Sequence, residues 1–148
     1  MHRPPYVFRT AVVLLLALLV SAGRVATAGQ APGVKPPQDP QTILDRVYSM
    51  AQAERGERQF MRSCTGCHAA TEFAGNALAA QFEGQSLGDV FELVSTSMPQ
   101  NDPGGLKPDE YASILAYFLA LGFYPVGADD LSADKTTLTR FGMVPNPQ

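Results

Sequence analysis

The chain has 148 residues, 45% hydrophobic and 17% charged, with 11 basic against 14 acidic side chains. That length is one domain's worth, and the acidic balance argues against nucleic acid and anionic membrane surfaces as partners. Two cysteines and two histidines restrict the metal and redox chemistry open to it.

The chain begins with the features of an export leader. His2, Arg3 and Arg9 make a basic start, Ala11 to Val20 is an unbroken apolar run, and Ala26-Thr27-Ala28 offers the small-x-small pattern of a signal-peptidase site. The run is shorter than the about 20 residues a membrane span needs. The alternative is an uncleaved N-terminal anchor. With 1–28 read as a signal peptide, Arg3, Arg9 and Arg24 are lost, leaving eight basic against fourteen acidic residues and a net charge of −6. His68 is then the only histidine of the mature chain. A periplasmic protein without stable membrane insertion is expected.

Residues 29–41 hold four prolines and no apolar periodicity, the composition of an extended linker. From Thr42 the pattern becomes helical. Ala53, Gly56, Phe60 and Cys64 recur at helical spacing, with Glu54, Arg55, Glu57 and Arg58 opposite, and the helix is expected to end at Thr65-Gly66. The stretch 69–85 reads as loop with a short helical turn. A second helix starts at "SLGD", where Ser86 can cap and Asp89 sits in the first turn. Its apolar face is Leu87, Val90, Phe91 and Val94, with Met98 next on the stripe and Pro99 as the stop.

Pro103 and Gly104 suit the centre of a turn. A third helix runs from Pro108 with Tyr111, Ile114, Leu115, Phe118 and Leu119 on its apolar face, and Gly122 and Pro125 end it. No segment shows strand alternation. The expected fold is all-α, with about three main helices in a domain over 42–125. The tail, 126–148, is either disordered or folded back through Leu138, Phe141 and Val144.

The stretch "RSCTGCHAAT", residues 62 to 71, contains both cysteines. A thioredoxin-like pair belongs at a helix start within a βαβ unit, which this chain lacks. Structural zinc needs four ligands, and the mature chain has two cysteines and one histidine. A disulfide across two intervening residues would constrain little chain and leaves the histidine unexplained. Cys64, Cys67 and His68 do have the C-x-x-C-H spacing of haem attachment, with two thioether anchors followed by an iron ligand. A histidine falls directly after such a pair by accident about one time in seventy, given two in 148 residues. Covalent haem, attached outside the cytoplasm, accounts for every residue of the motif and for the leader.

From about Tyr48 to Tyr124 the chain resembles class I c-type cytochromes, especially small periplasmic ones that serve quinoprotein dehydrogenases or terminal oxidases. The resemblance is carried by "GERQFMRSCTGCH", "TSMPQNDPGGL" and "DEYASILAYFLALGFYP". It implies a cytochrome c fold around one haem c, with the first and last helices crossing so that Gly56 and Phe60 meet Tyr117 or Phe118 and Leu121. The chain departs from the family pattern at Ala69, where glycine is common, at Lys107, where a Ser or Thr cap is usual, and in having no tryptophan.

The mature chain has no second histidine, so the second axial position of the iron falls to methionine, lysine, water or nothing. Met61 precedes His68 by only seven residues on the same helix, Met50 is on or before that helix, and Met143 lies in the tail. Met98 stands thirty residues past His68, before a proline that favours extended backbone. Met98 also matches the family's ligand position; the plainer alternative is that it completes the core stripe. His68 and Met98 are therefore the expected axial pair. Such ligation raises the potential relative to two histidines and leaves no open position, which suits an electron carrier rather than an enzyme. Donor and acceptor are expected to be redox proteins, such as a quinoprotein dehydrogenase and a terminal oxidase or another cytochrome. Seven acidic residues and one lysine lie between Glu72 and Glu110. They make either a docking face for a basic partner or an ordinary solvated surface. The alternatives are a haem subunit fixed in a dehydrogenase complex, and a labile-ligand sensor or peroxidase.

Overall fold

Helix α1, Met50–Ser63, starts where Ser49 leaves the helix in an extended conformation and its Oγ accepts from the Gln52 amide at 3.1 Å. In a computed structural model of the chain, residues 41–147 are described. The signal peptide assigned to 1–28, and the linker 29–41 apart from Gln41, lie outside them. The helix does not begin near Thr42, as the periodicity suggests. Residues 42–49 instead lay Ile43 and Tyr48 into the core, with Ile43 N–H on the Gly142 carbonyl at 3.2 Å. Arg46 there takes a left-handed φ of 56°, which a helix cannot contain. The helix also stops at Ser63, about two residues before the expected end, with Cys64 as its C-cap.

A 3₁₀ turn, Ala70–Phe73, and a short α2, Ala77–Gln81, occupy the weak stretch. Helix α3, Leu87–Ser97, begins with a reciprocal cap: Ser86 Oγ accepts from the Asp89 amide, and the Asp89 carboxylate accepts from the Ser86 amide at 2.8 Å. Asp102 to Gly105 closes a turn through a 3.0 Å hydrogen bond, with Pro103 and Gly104 at its centre. Gly104 adopts φ +78° there, a conformation glycine takes without penalty. Helix α4, Pro108–Leu121, has Pro108 at its first position; Lys107 provides no side-chain cap, and the Glu110 carboxylate accepts from the Lys107 amide at 2.9 Å. A last short helix, α5, Lys135–Leu138, packs on α3.

The core is the crossing of α1 and α4. Gly56 lies so close to α4 that a Cβ on it would fall 1.8 Å from the Ser113 carbonyl oxygen. The contact is about one turn earlier on α4 than the resemblance implies. Phe60 does meet Tyr117 and Phe118, with ring centroids 5.7 and 5.6 Å away. Among the described residues the elements are helices, with no strand; isolated bridges link Thr42 and Ser86 to Gly142 and Ser49 to Gly127. The fold is all-α.

Of the two alternatives for the tail, the folded one describes residues 126–147. Leu138 and Met143 are buried, while Phe141 and Val144 are half-buried against the core. The buried Gln52 side chain pairs with the Leu131 backbone in both directions, at 2.9 and 2.6 Å. Tyr48 donates to the Tyr124 carbonyl and Tyr124 to that of Val144.

The caps have a pH consequence. Hydrogen bonds from Ser86 hold the Asp89 carboxyl below the ordinary aspartate range, and those from Thr137 do the same for Asp134. A carboxyl depressed in the folded state stabilises it above the unfolded value, about pH 4, and loses that effect as pH falls through the folded value. The urea midpoint is therefore expected to fall on acidification below about pH 4. Asp89→Asn should flatten part of that fall; an unchanged slope would mean the cap contributes nothing.

Candidate functional site

The end of α1 folds directly into the cysteine motif. The Cys64 amide still bonds the Phe60 carbonyl at 2.8 Å, so Cys64 is held by the helix. Its carbonyl accepts from both Cys67 N–H at 3.1 Å and His68 N–H at 2.9 Å, closing residues 64–68 into one tight turn. Thr65 Oγ1 donates back to the Met61 carbonyl and steadies the same corner. The two thiols are not joined to each other. Cys64 is half-buried, with its thiol pKa raised by burial, and Cys67 is exposed.

His68 lies between a carboxylate and an aromatic ring. Its Nδ1 is 3.1 Å from Glu72 Oε2, and the other carboxylate oxygen accepts from the Ala69 amide at 2.9 Å. The Ala69 amide first, and His68 second, hold the Glu72 carboxyl below the usual range. The His68 ring centroid is 5.7 Å from that of Phe73. Phe73 stacks on Phe118 at 3.9 Å and meets Phe60 edge-on at 5.9 Å. The motif thus rests on aromatic residues of α1, the 3₁₀ turn and α4.

Met98 is on a different element, at the end of α3. It is the C-cap of α3, extended at φ −125° and ψ 150°, and is followed by a cis peptide to Pro99. Its amide bonds the Val94 carbonyl at 3.0 Å, and its own carbonyl accepts from Tyr111 Oη at 2.6 Å. Tyr111 Oη also accepts from the Leu106 amide, so one buried α4 side chain ties both ends of the loop 98–106. Cys64, Cys67 and His68 are brought together by one turn. Met98 is tied to them through α4, with Tyr111 and Phe118 seven residues, or about 10 Å, apart along the helix.

Sequence reading missed several of these residues. Glu72 is four residues past His68, a spacing at which side chains meet on a helical turn, so that partnership had a signal. The stacking of Phe73 on Phe118 and the Tyr111 tie depend on how separate elements pack, and no local pattern marks them. A cleft of about 260 Å³ is lined by Gly75, Asn76, Gly122, Phe123 and Asn146 and includes none of the four predicted site residues. No group of three or more His, Cys, Asp or Glu side chains suited to a metal ion occurs among the described residues.

Comparison finds no family model, curated protein or solved structure that the chain matches.

Proposed function

We propose that this chain is a mono-haem c-type cytochrome, with a cytochrome c fold, that carries single electrons between redox proteins outside the cytoplasm. Cys64 and Cys67 would hold the haem as thioethers, and His68 and Met98 would ligate its iron. The observation that carries the reading is the closed turn 64–68, in which the Cys67 and His68 backbone amides both bond the Cys64 carbonyl and so gather two unjoined thiols and an imidazole within five residues.

The donor set fits such a group. Thiols at this spacing can each form one thioether, and the adjacent imidazole keeps Nε2 for a metal because Nδ1 faces Glu72. Phe73, Val94, Leu106 and Tyr117 are partly buried against the core, which gives the chain apolar surface to offer a flat hydrophobic ligand. When bound, the haem supplies a one-electron iron couple whose potential depends on its axial ligands. His68 and Met98 would both ligate the iron, leaving no open site for a substrate. The first and last long helices pack closely, with Gly56 against the Ser113 backbone, an arrangement that suits a carrier in which little has to move when an electron arrives.

The test is a visible absorption spectrum, oxidised and reduced, of the chain matured where haem is attached to exported proteins. Sharp low-spin ferrous bands and the weak far-red ferric band of iron–thioether bonding are expected. A high-spin ferric spectrum would move the assignment to a labile-ligand sensor or peroxidase. Absence of any haem spectrum would overturn the reading.

A further inference from the structure

The Glu72 carboxylate is used at both oxygens within one turn of His68. Oε2 faces His68 Nδ1 at 3.1 Å, and Oε1 accepts from the Ala69 N–H at 2.9 Å. Glu72 N–H in turn bonds the Ala69 carbonyl at 3.0 Å, so the carboxylate is anchored to the backbone next to the histidine it contacts. The 3₁₀ turn Ala70–Phe73 supplies this geometry and also brings Phe73 against the imidazole ring. An ionised carboxylate has no proton to give, so the proton of this contact belongs to Nδ1. Nε2 is then the nitrogen with a lone pair.

Resting on the cytochrome reading above, we propose that Glu72 is a positioning residue for the His68 ligand: it fixes the Nδ1–H tautomer, orients the ring and makes Nε2 a stronger donor to iron. Partners on the far nitrogen of a ligating histidine set its orientation and raise its basicity. A stronger donor stabilises the ferric over the ferrous state. The carboxylate therefore lowers the reduction potential relative to a neutral partner. Phe73, stacked on Phe118, steadies the ring but carries no charge, so the electronic effect belongs to Glu72.

The experiment compares the haem-loaded wild type with Glu72→Gln, Glu72→Ala and Glu83→Gln. Glu83 is exposed and lies outside the motif, so its variant reports the effect of removing one surface charge. Glu72→Gln keeps the size of the side chain and is expected to raise the potential clearly more than Glu83→Gln, with the axial absorption bands unchanged. Glu72→Ala should raise the potential and also speed solvent exchange of the His68 Nδ1 proton, followed by proton NMR of the reduced protein. A Glu72→Gln shift no larger than that of Glu83→Gln, or an Nδ1 proton equally protected in Glu72→Ala, would remove Glu72 from this role and leave the cytochrome reading standing. A wild-type chain that matures without haem would remove both.

Discussion

Gly56→Ala is expected to destabilise the protein by about 2–4 kcal/mol. Helix propensity alone points the other way, since alanine is favoured over glycine in a helix by about 1 kcal/mol. The clash decides the sign. The added Cβ would lie 1.8 Å from the Ser113 carbonyl oxygen and 2.4 Å from its carbonyl carbon. Those are backbone atoms and cannot rotate away, so α1 and α4 must separate or slide. Overpacking typically costs about 1–3 kcal/mol, and an obstacle made of backbone belongs at or above the upper end. For a domain of this size the melting temperature should fall by roughly 10–20 °C. Glu57→Ala, one residue along on the exposed face, should stay within about 0.5 kcal/mol of wild type. A Gly56→Ala protein as stable as its parent would mean that the helices do not touch at this point. The loss would also reach the candidate site, because Phe60, Phe73 and Phe118 pack together at that crossing and Phe73 faces His68 at 5.7 Å between ring centroids.

Much of this scaffold was legible in the sequence, because the physical signals are local. Ser86 and Asp89 sit at the spacing of a reciprocal cap, Pro108 suits a first helical position, and Pro103-Gly104 suits a turn; each performs that role. The start of α1 is not legible, because Ile43 and Tyr48 are apolar residues just ahead of its stripe and nothing local marks them as non-helical. They are buried from a non-helical segment whose hydrogen bonds go to Gly142 and Gly127. Pairing of that kind, across some eighty to a hundred residues of chain, leaves no periodic trace. The tail was undecidable for the same reason. Besides the buried Leu138 and Met143, its anchors include Gln52 to Leu131 and the Asn76–Asn146 pair, made by polar side chains that hydropathy ignores. In the candidate site, the spacing of Cys64, Cys67 and His68 already dictates a shared turn, whereas the relation of Met98 to that turn depends on Tyr111 and on how α3 meets α4.

The sharpest separation between ligand and core residue comes from Met98→Leu. As a core residue, Met98 is replaceable by leucine with under about 1.5 kcal/mol of cost, since the volumes match. As an axial ligand it is not, because leucine has no lone pair to offer. In the haem-loaded protein, Met98→Leu is expected to keep its helix content, lose the far-red ferric band, and lower its reduction potential by on the order of 0.1 V or more, given that axial ligation spreads haem potentials over about 0.8 V. Met61→Leu is the control: Met61 is 59% exposed and on the helix leading into the motif, and neither the spectrum nor the potential should respond. The extended backbone of Met98 supports the ligand role over the stripe role. A residue inside the α3 stripe would have helical backbone, but Met98 is the extended cap that ends the helix, with its carbonyl taken by Tyr111. Tyr111 thereby fixes the Met98 backbone, and the loop to Leu106 is tied to the same hydroxyl. If Met98→Leu leaves band and potential intact, the Met98 thioether is not on the iron, and a group other than Met98 holds the position opposite His68.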